Sequence, residues 1–249
     1  MAQWSDPRVT GTQSSLSGVG YGAGAVAVDE GLRSHMLKVY NYMASGVLLT
    51  GIVAMLFAGS AFGQNVMING GALRWVIILS PLALILVMNF GLNKLSTGAL
   101  QACFWSFAGL MGLSMSTIFL VYTGESIATT FFATAAAFAG LSLVGYTTKK
   151  DLSGMGTFLI MGLVGLIVAS LANLWFQSST LSWVVSGVGV LIFAGLTVYD
   201  TQMIKSTYLQ LRGSDSDFMG KAAIMGALSL YLDFINLFQF LLSFMGNRD

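Results

Sequence analysis

From Leu152 to Tyr199 the chain carries no charged side chain. The hydrocarbon core of a bilayer takes about 20 apolar residues to cross, so this run is too long for one crossing and too oily for a water-facing surface. Its polar break, Gln177-Ser178-Ser179-Thr180, divides it into two helices. The same test along the chain gives five more spans: Val39 to Phe62, Trp75 to Asn93, Gly98 to Tyr122, Ile127 to Thr147 and Ala222 to Met245. The sixth span ends beyond Asp200, and Gly63 to Leu73 forms a polar connector. The fold class expected is therefore all-α, a polytopic membrane protein of seven transmembrane helices. Composition agrees: 8% of residues are charged and the mean hydropathy is +0.78, against about 25% charged in a soluble domain.

Several functions fall away at once. The net charge of +1 and the lack of a long basic block argue against nucleic acid as a partner. A single cysteine, Cys103, excludes an intramolecular disulfide, and a single histidine, His35, excludes bis-histidine haem and HExxH zinc chemistry. His35 reads as a surface residue and Cys103 as a buried small side chain. The 14 methionines form no close cluster with either, so they read as packing residues rather than a copper site. No cofactor is implied.

Orientation follows from retention of Lys and Arg on the cytoplasmic side. The tail and the second, fourth and sixth loops hold Arg8, Arg33, Lys38, Lys94, Lys149, Lys150, Lys205, Arg212 and Lys221, and the other side holds only Arg74 and Arg248. This places the N-terminus in the cytoplasm and the C-terminus on the outer side of the membrane. Residues 1–38, rich in Gly and Ser, are expected to be a disordered cytoplasmic tail, and residues 39–249 a single membrane domain.

Lipid supplies no hydrophobic force between helices, so small residues four apart are candidate contact ridges. Ala108, Gly112 and Ser116 form one, Ala136 and Gly140 a second, and Gly165 and Ala169 a third. Pro81 is expected to interrupt the second span. Trp75, Trp175 and Trp183 lie near span ends as interfacial anchors, alongside Trp4 and Trp105 elsewhere in the chain.

Asp200 and Asp233 are the acidic residues set deep within spans, and a lone ionised carboxylate at mid-membrane costs about 3 kcal/mol. Gly226, Ser229, Asp233, Asn236 and Ser243 recur at steps of three, four or seven and share one face of the seventh span. Thr197 lies one turn before Asp200 on the same face of the sixth. No breaker interrupts Ser206 to Leu211, so the sixth helix is expected to reach about Gln210. At 1.5 Å per residue, Asp200 then lies roughly 15 Å deep, where it can meet Asp233. Two carboxylates within about 4 Å cannot both ionise cheaply, so such a pair shares one proton. Deprotonated, it would offer hard oxygen ligands to calcium, a weak site needing help from Asn236, Thr197, Ser229, backbone carbonyls or water.

The strings STIFLVYT (116–123), SIATTFFATAAAF (126–138), GYTTKKDLSGMG (145–156), LTVYDTQMIK (196–205) and GALSLYLDFINLF (226–238) resemble the Bax inhibitor-1 family, also called the transmembrane Bax-inhibitor-motif family. The resemblance covers about residues 35–249, and the ending FMGNRD is similar to its bacterial branch. It implies a seven-helix fold around a central seventh helix, and a pH-sensitive calcium leak controlled by paired aspartates, here Asp200 and Asp233. It also implies an arginine within the second helix that latches onto the pair. This sequence has no arginine from Trp75 to Asn93, only Asn89 and Asn93 as amides, with Arg74 at the far end. Eukaryotic members are linked to suppression of cell death, and one bacterial relative to a membrane-bound quality-control protease.

The expected function is thus a proton-sensing cation leak rather than an enzyme, with the bilayer, Ca2+ and H+ as partners. A regulator that binds a membrane protease is the alternative. An intramembrane aspartyl protease is a remote one, because Tyr231-Leu232-Asp233-Phe234 lacks the GxGD glycines. Glu125 and Asp151 read as solvated loop charges. The charge asymmetry predicts that, in spheroplasts, a protease added outside removes a tag fused after Asp249 and spares one before Met1.

Overall fold

The computed structural model describes residues 20–213 and 215–247, with side chains from Glu30 onward. Nine helices lie in this region: α1 (Gly20–Gly59), α2 (Ala61–Asn69), α3 (Gly71–Gly91), α4 (Thr97–Met115), α5 (Ile118–Val121), α6 (Gly124–Thr147), α7 (Ser153–Phe176), α8 (Ser179–Leu211) and α9 (Ser216–Met245). Seven segments are long and apolar enough to cross a membrane, α4 and α5 together supplying one of them. No strand occurs among the described residues, as expected of a chain whose backbone polar groups must be satisfied within each segment.

Boundaries follow local chemistry. Ser60, Ser96, Thr123 and Ser178 cap α2, α4, α6 and α8, each hydroxyl accepting from the backbone N–H three residues on. The break between the fifth and sixth spans falls where its polar residues place it, with Gln177 left-handed at φ 49°. Pro81 lies inside α3 and cannot donate to the carbonyl of Ile77. Ser80 Oγ donates to that carbonyl at 2.9 Å, so the helix runs through the proline with the freed group satisfied.

Three expectations change. The boundary after Lys38 falls inside α1, because Leu32, Met36, Val39 and Met43 recur at helical spacing and are buried in the core. Residues 1–19 of the expected tail, with Arg8 and Trp4, lie outside the described residues, as does Arg248. The connector after the first span contains α2, whose Val66 and Met67 are buried. His35 is 7% exposed, its ring 5.1 Å from that of Tyr208, so it is not a surface residue.

The bundle is built around α9. In its most apolar window 61% of residues are buried, against at most 33% in the other spans, and it packs on α8, α1, α6 and α4. Tyr231 is fully buried, edge-on to Phe107 at 5.3 Å and Phe104 at 6.2 Å. Its hydroxyl lies 2.6 Å from Thr50 Oγ1, which is 2.8 Å from the Ala108 carbonyl. Tyr231 donating to Thr50, and Thr50 to Ala108, ties α9, α1 and α4 through buried groups that each find a partner.

Of the small-residue ridges, one performs as expected. Ala108, Gly112 and Ser116 are buried, and a Cβ on Gly112 would stand 2.7 Å from the Thr50 carbonyl oxygen and 2.8 Å from Val53 Cβ on α1. Ala136, Gly140 and Gly165 are exposed instead, and Ala169 is only half-buried, because those faces of α6 and α7 look away from the bundle. The close contact on α6 is at Gly145, against the backbone of Val198 on α8. Trp75, Trp175 and Trp183 are exposed, while Trp105 packs on Tyr42 and Phe104, and Cys103 is half-buried against the core. Gly112→Leu is expected to overpack the α1–α4 contact, costing about 1–3 kcal/mol and lowering the unfolding temperature in detergent. Gly140→Leu, on the open face, is expected to leave that temperature unchanged.

Candidate functional site

α8 extends to Leu211, matching the long sixth helix, and α8 against α9 is the most extensive helix contact. The two run antiparallel. Ser186 Oγ donates to Ser243 Oγ at 3.0 Å, Phe193 stacks on Phe240 with ring centroids 5.7 Å apart, and Ile204 meets Gly226. Asp200 lies seven residues after Phe193, and Asp233 seven before Phe240. Seven residues are nearly two helical turns, so each aspartate shares a face with its aromatic ring, and the antiparallel register brings the carboxylates toward each other. The opposite side of α9 agrees, since Tyr231 is turned about 200° from Asp233 and meets α1 and α4. Two carboxylates set toward each other in a low dielectric act on each other electrostatically.

The environment is dry on one side. Asp233 is 4% exposed, and its Oδ2 has no hydrogen-bond partner among the described residues. Asp200 is half-buried. A buried unpartnered carboxylate oxygen is costly, and it needs a proton, a cation or water to complete it.

The expected supporting groups do not converge on the pair. Thr197 is fully buried but its Oγ1 donates to the Phe193 carbonyl at 2.8 Å, one turn back on α8. Asn236 Nδ2 donates to the Leu232 carbonyl at 2.8 Å, and the residue lines a cavity of about 360 Å³ with Pro81, Ser114 and Gln239, toward α3 and α4. Ser229 lines another of about 370 Å³ with His35, Asn93, Thr207 and Lys221. The polar stripe of α9 is therefore divided among neighbours, because a helix as central as this presents every face to a different one. Among the described residues no group of three or more His, Cys, Asp or Glu gathers to hold a metal ion.

A polar cluster beside Asp200 is absent from the sequence reading. Thr201 Oγ1 donates to the Thr197 carbonyl at 2.7 Å and lies 3.4 Å from Ser142 Oγ on α6. Gln202 bridges the Lys150 carbonyl and the Leu152 N–H, and Lys205 Nζ donates to the Tyr146 carbonyl at 2.7 Å. These bonds anchor the Asp200 half of α8 to α6 and the following loop. Thr201, Gln202 and Lys205 follow Asp200 closely in the sequence, but their partners lie on α6 and in the loop after it, and no spacing along the chain names those partners.

The latch position is also open to inspection. Asn89 is exposed and donates to the Ile85 carbonyl of its own helix at 2.9 Å, while Arg74 begins α3, which packs chiefly on α4. Asp151 is fully exposed and accepts from Ser153 N–H and Oγ at 2.9 and 2.6 Å, bonds that hold its carboxyl below the usual carboxylate range.

The family model described as inhibitor of apoptosis-promoting Bax1 matches residues 32–249, which includes both aspartates and all seven membrane spans save the first residues of α1. The chain belongs to the Bax inhibitor-1 family. Inner membrane protein YbhL of Escherichia coli K12 is 45% identical over 218 residues, covering 88% of this chain and 93% of that protein. An uncharacterized protein of Rickettsia prowazekii is 47% identical over 220 residues, covering 88% and 92%. One of Caulobacter vibrioides is 46% identical over 233 residues, covering 90% and 93%. This Bax inhibitor-1 family member is thus a membrane protein similar to these relatives along most of its length. Cysteines replacing Asp200 and Asp233 in a Cys103→Ser background are expected to be joined by a short bifunctional thiol reagent. The same reagent is expected to leave a pair at 200 and 231 unjoined, since Tyr231 is on the far side of α9 from Asp233, as judged by gel mobility after cleavage between α8 and α9.

Proposed function

We propose that this chain is a pH-sensitive cation leak of a bacterial inner membrane, calcium being the ion that its hard oxygen ligands suit. Asp200 and Asp233 sense the proton. The observation that carries the reading is the register of α8 on α9, which sets two intramembrane carboxylates toward each other while one buried oxygen of Asp233 has no partner. With one proton shared, the pair is a hydrogen bond that holds α8 to α9. With that proton lost, two like charges in a low dielectric repel, and the helices separate around a route that a cation can enter. Flux therefore rises with pH across the range in which the pair loses its shared proton.

Calcium takes six to eight oxygens. Two carboxylates, with Thr197 engaged on its own helix and Asn236 turned toward α3, leave backbone carbonyls and water to supply the rest. Such a site suits an ion in passage rather than one held in store. An inner-membrane location is supported by the E. coli relative's name, and a cytoplasmic N-terminus by the excess of Lys and Arg at the end of the bundle where α1 starts.

The test is calcium flux into proteoliposomes against pH, with Asp200→Asn and Asp233→Asn. Each change is expected to remove the pH dependence and to lower flux roughly tenfold at high pH, about 1.4 kcal/mol. Wild-type flux and pH profile in both variants would refute the reading. A co-purifying membrane protease whose activity is indifferent to both changes would favour the regulatory role.

A further inference from the structure

α1 and α6 flank a cleft instead of packing on each other, and α9 forms its floor. One cavity of about 780 Å³ and a second of about 380 Å³ share Val47, Leu48, Phe131 and Phe234 and form a continuous groove. Along α1 the lining runs from Arg33 to Met55, about 33 Å at 1.5 Å per residue, the thickness of a bilayer's hydrocarbon core. The walls are apolar for most of that length. Polar groups gather at one end, where Arg33, Tyr40, Ser142 and Tyr146 line the groove, and no acidic side chain lines either cavity.

That end is cationic. Arg33 is exposed, and no carboxylate lies within ion-pair distance of it among the described residues, Glu30 one turn away included. Lys205 stands behind Tyr146, its ammonium 5.2 Å from the ring centroid, and Lys149 and Lys150 follow the end of α6. An occupant complementary to this surface is anionic at its head and oily along its body. The walls mix small residues, Ala44, Ala135 and Ala139, with Met36, Leu37, Leu48 and Leu143, and it is the cationic end that favours an anionic lipid over a partner helix.

We propose that the cleft binds one anionic phospholipid of the surrounding bilayer, its phosphate at Arg33 and an acyl chain along Phe131, Phe138 and Phe234. The site touches the residue after Asp233 directly, and the residue after Asp200 through Ser142. Phe234 follows Asp233, and Ser142 lies against the hydroxyl of Thr201, which follows Asp200. On the proton-gated reading the bound lipid then bears on the spacing of the pair, whereas the binding itself stands without that reading.

The experiment is native mass spectrometry of the full chain released from mild detergent, with phosphatidylglycerol and phosphatidylethanolamine of identical chains in competition. One phosphatidylglycerol is expected to be retained in preference. Arg33→Gln is expected to cut that preference about fivefold, the worth of one cation at an anionic surface. Ala139→Trp, filling the groove, is expected to abolish retention with the unfolding temperature unchanged, and Ala44→Trp on the opposite wall serves if that variant does not fold. Equal retention of the two lipids, a preference untouched by Arg33→Gln, or a polypeptide occupying the groove in place of lipid would overturn the proposal. Flux measurements do not enter the readout, so failure here and failure of the leak are separate results.

Discussion

The antiparallel contact of α8 with α9 is the constraint on which the rest of the bundle depends. Lipid rewards no helix for hiding an apolar face, so two helices stay together through close fit and through polar groups that have nowhere else to go. Here the fit is a stacked Phe193–Phe240 pair, a glycine under Phe240 at Gly189, and another at Gly226 under Ile204. The polar tie is Ser186 on Ser243 at one end. Asp200 and Asp233 sit between these fixed points, and the register leaves them little freedom to avoid each other.

Most other buried polar side-chain groups find partners, Arg74 Nε in the first turns of α3 being the other exception among the described residues. Ser80 completes the carbonyl that Pro81 frees, and the Tyr231, Thr50 and Ala108 chain crosses three helices with each hydroxyl paired. Against that background an oxygen of Asp233 without a partner is conspicuous, because each unsatisfied group within a membrane costs several kcal/mol. The chain bonds Asp200's neighbours Thr201 and Gln202 to α6 and its loop, while Asp233 Oδ2 has no partner among the described residues. On the proposed reading, a proton or cation completes that oxygen.

The spans were legible because the hydrocarbon core imposes a length, and charges mark its edges. Leu152 to Tyr199 had to be two helices, and the turn falls at Gln177 and Ser178, within the polar break Gln177 to Thr180. The same logic misplaced the start of α1, since Arg33, Lys38 and their neighbours dilute hydropathy while Leu32 and Met36 hold one face against the core. It also misjudged two ridges of small residues. Ala136 and Gly140 have the spacing of a contact surface, but spacing names no partner, and that face of α6 meets none among the described residues.

Residue type and position alone determined the membrane class, the family and the two aspartates, for the energetic reason that ionisable groups deep in a span are too costly to be incidental. Their facing, the dispersal of Thr197, Ser229 and Asn236 to different neighbours, the burial of His35 and the cleft between α1 and α6 came only with the tertiary structure. A helical period tells which side chains share a face, but which helix that face meets is decided by packing among all seven spans at once.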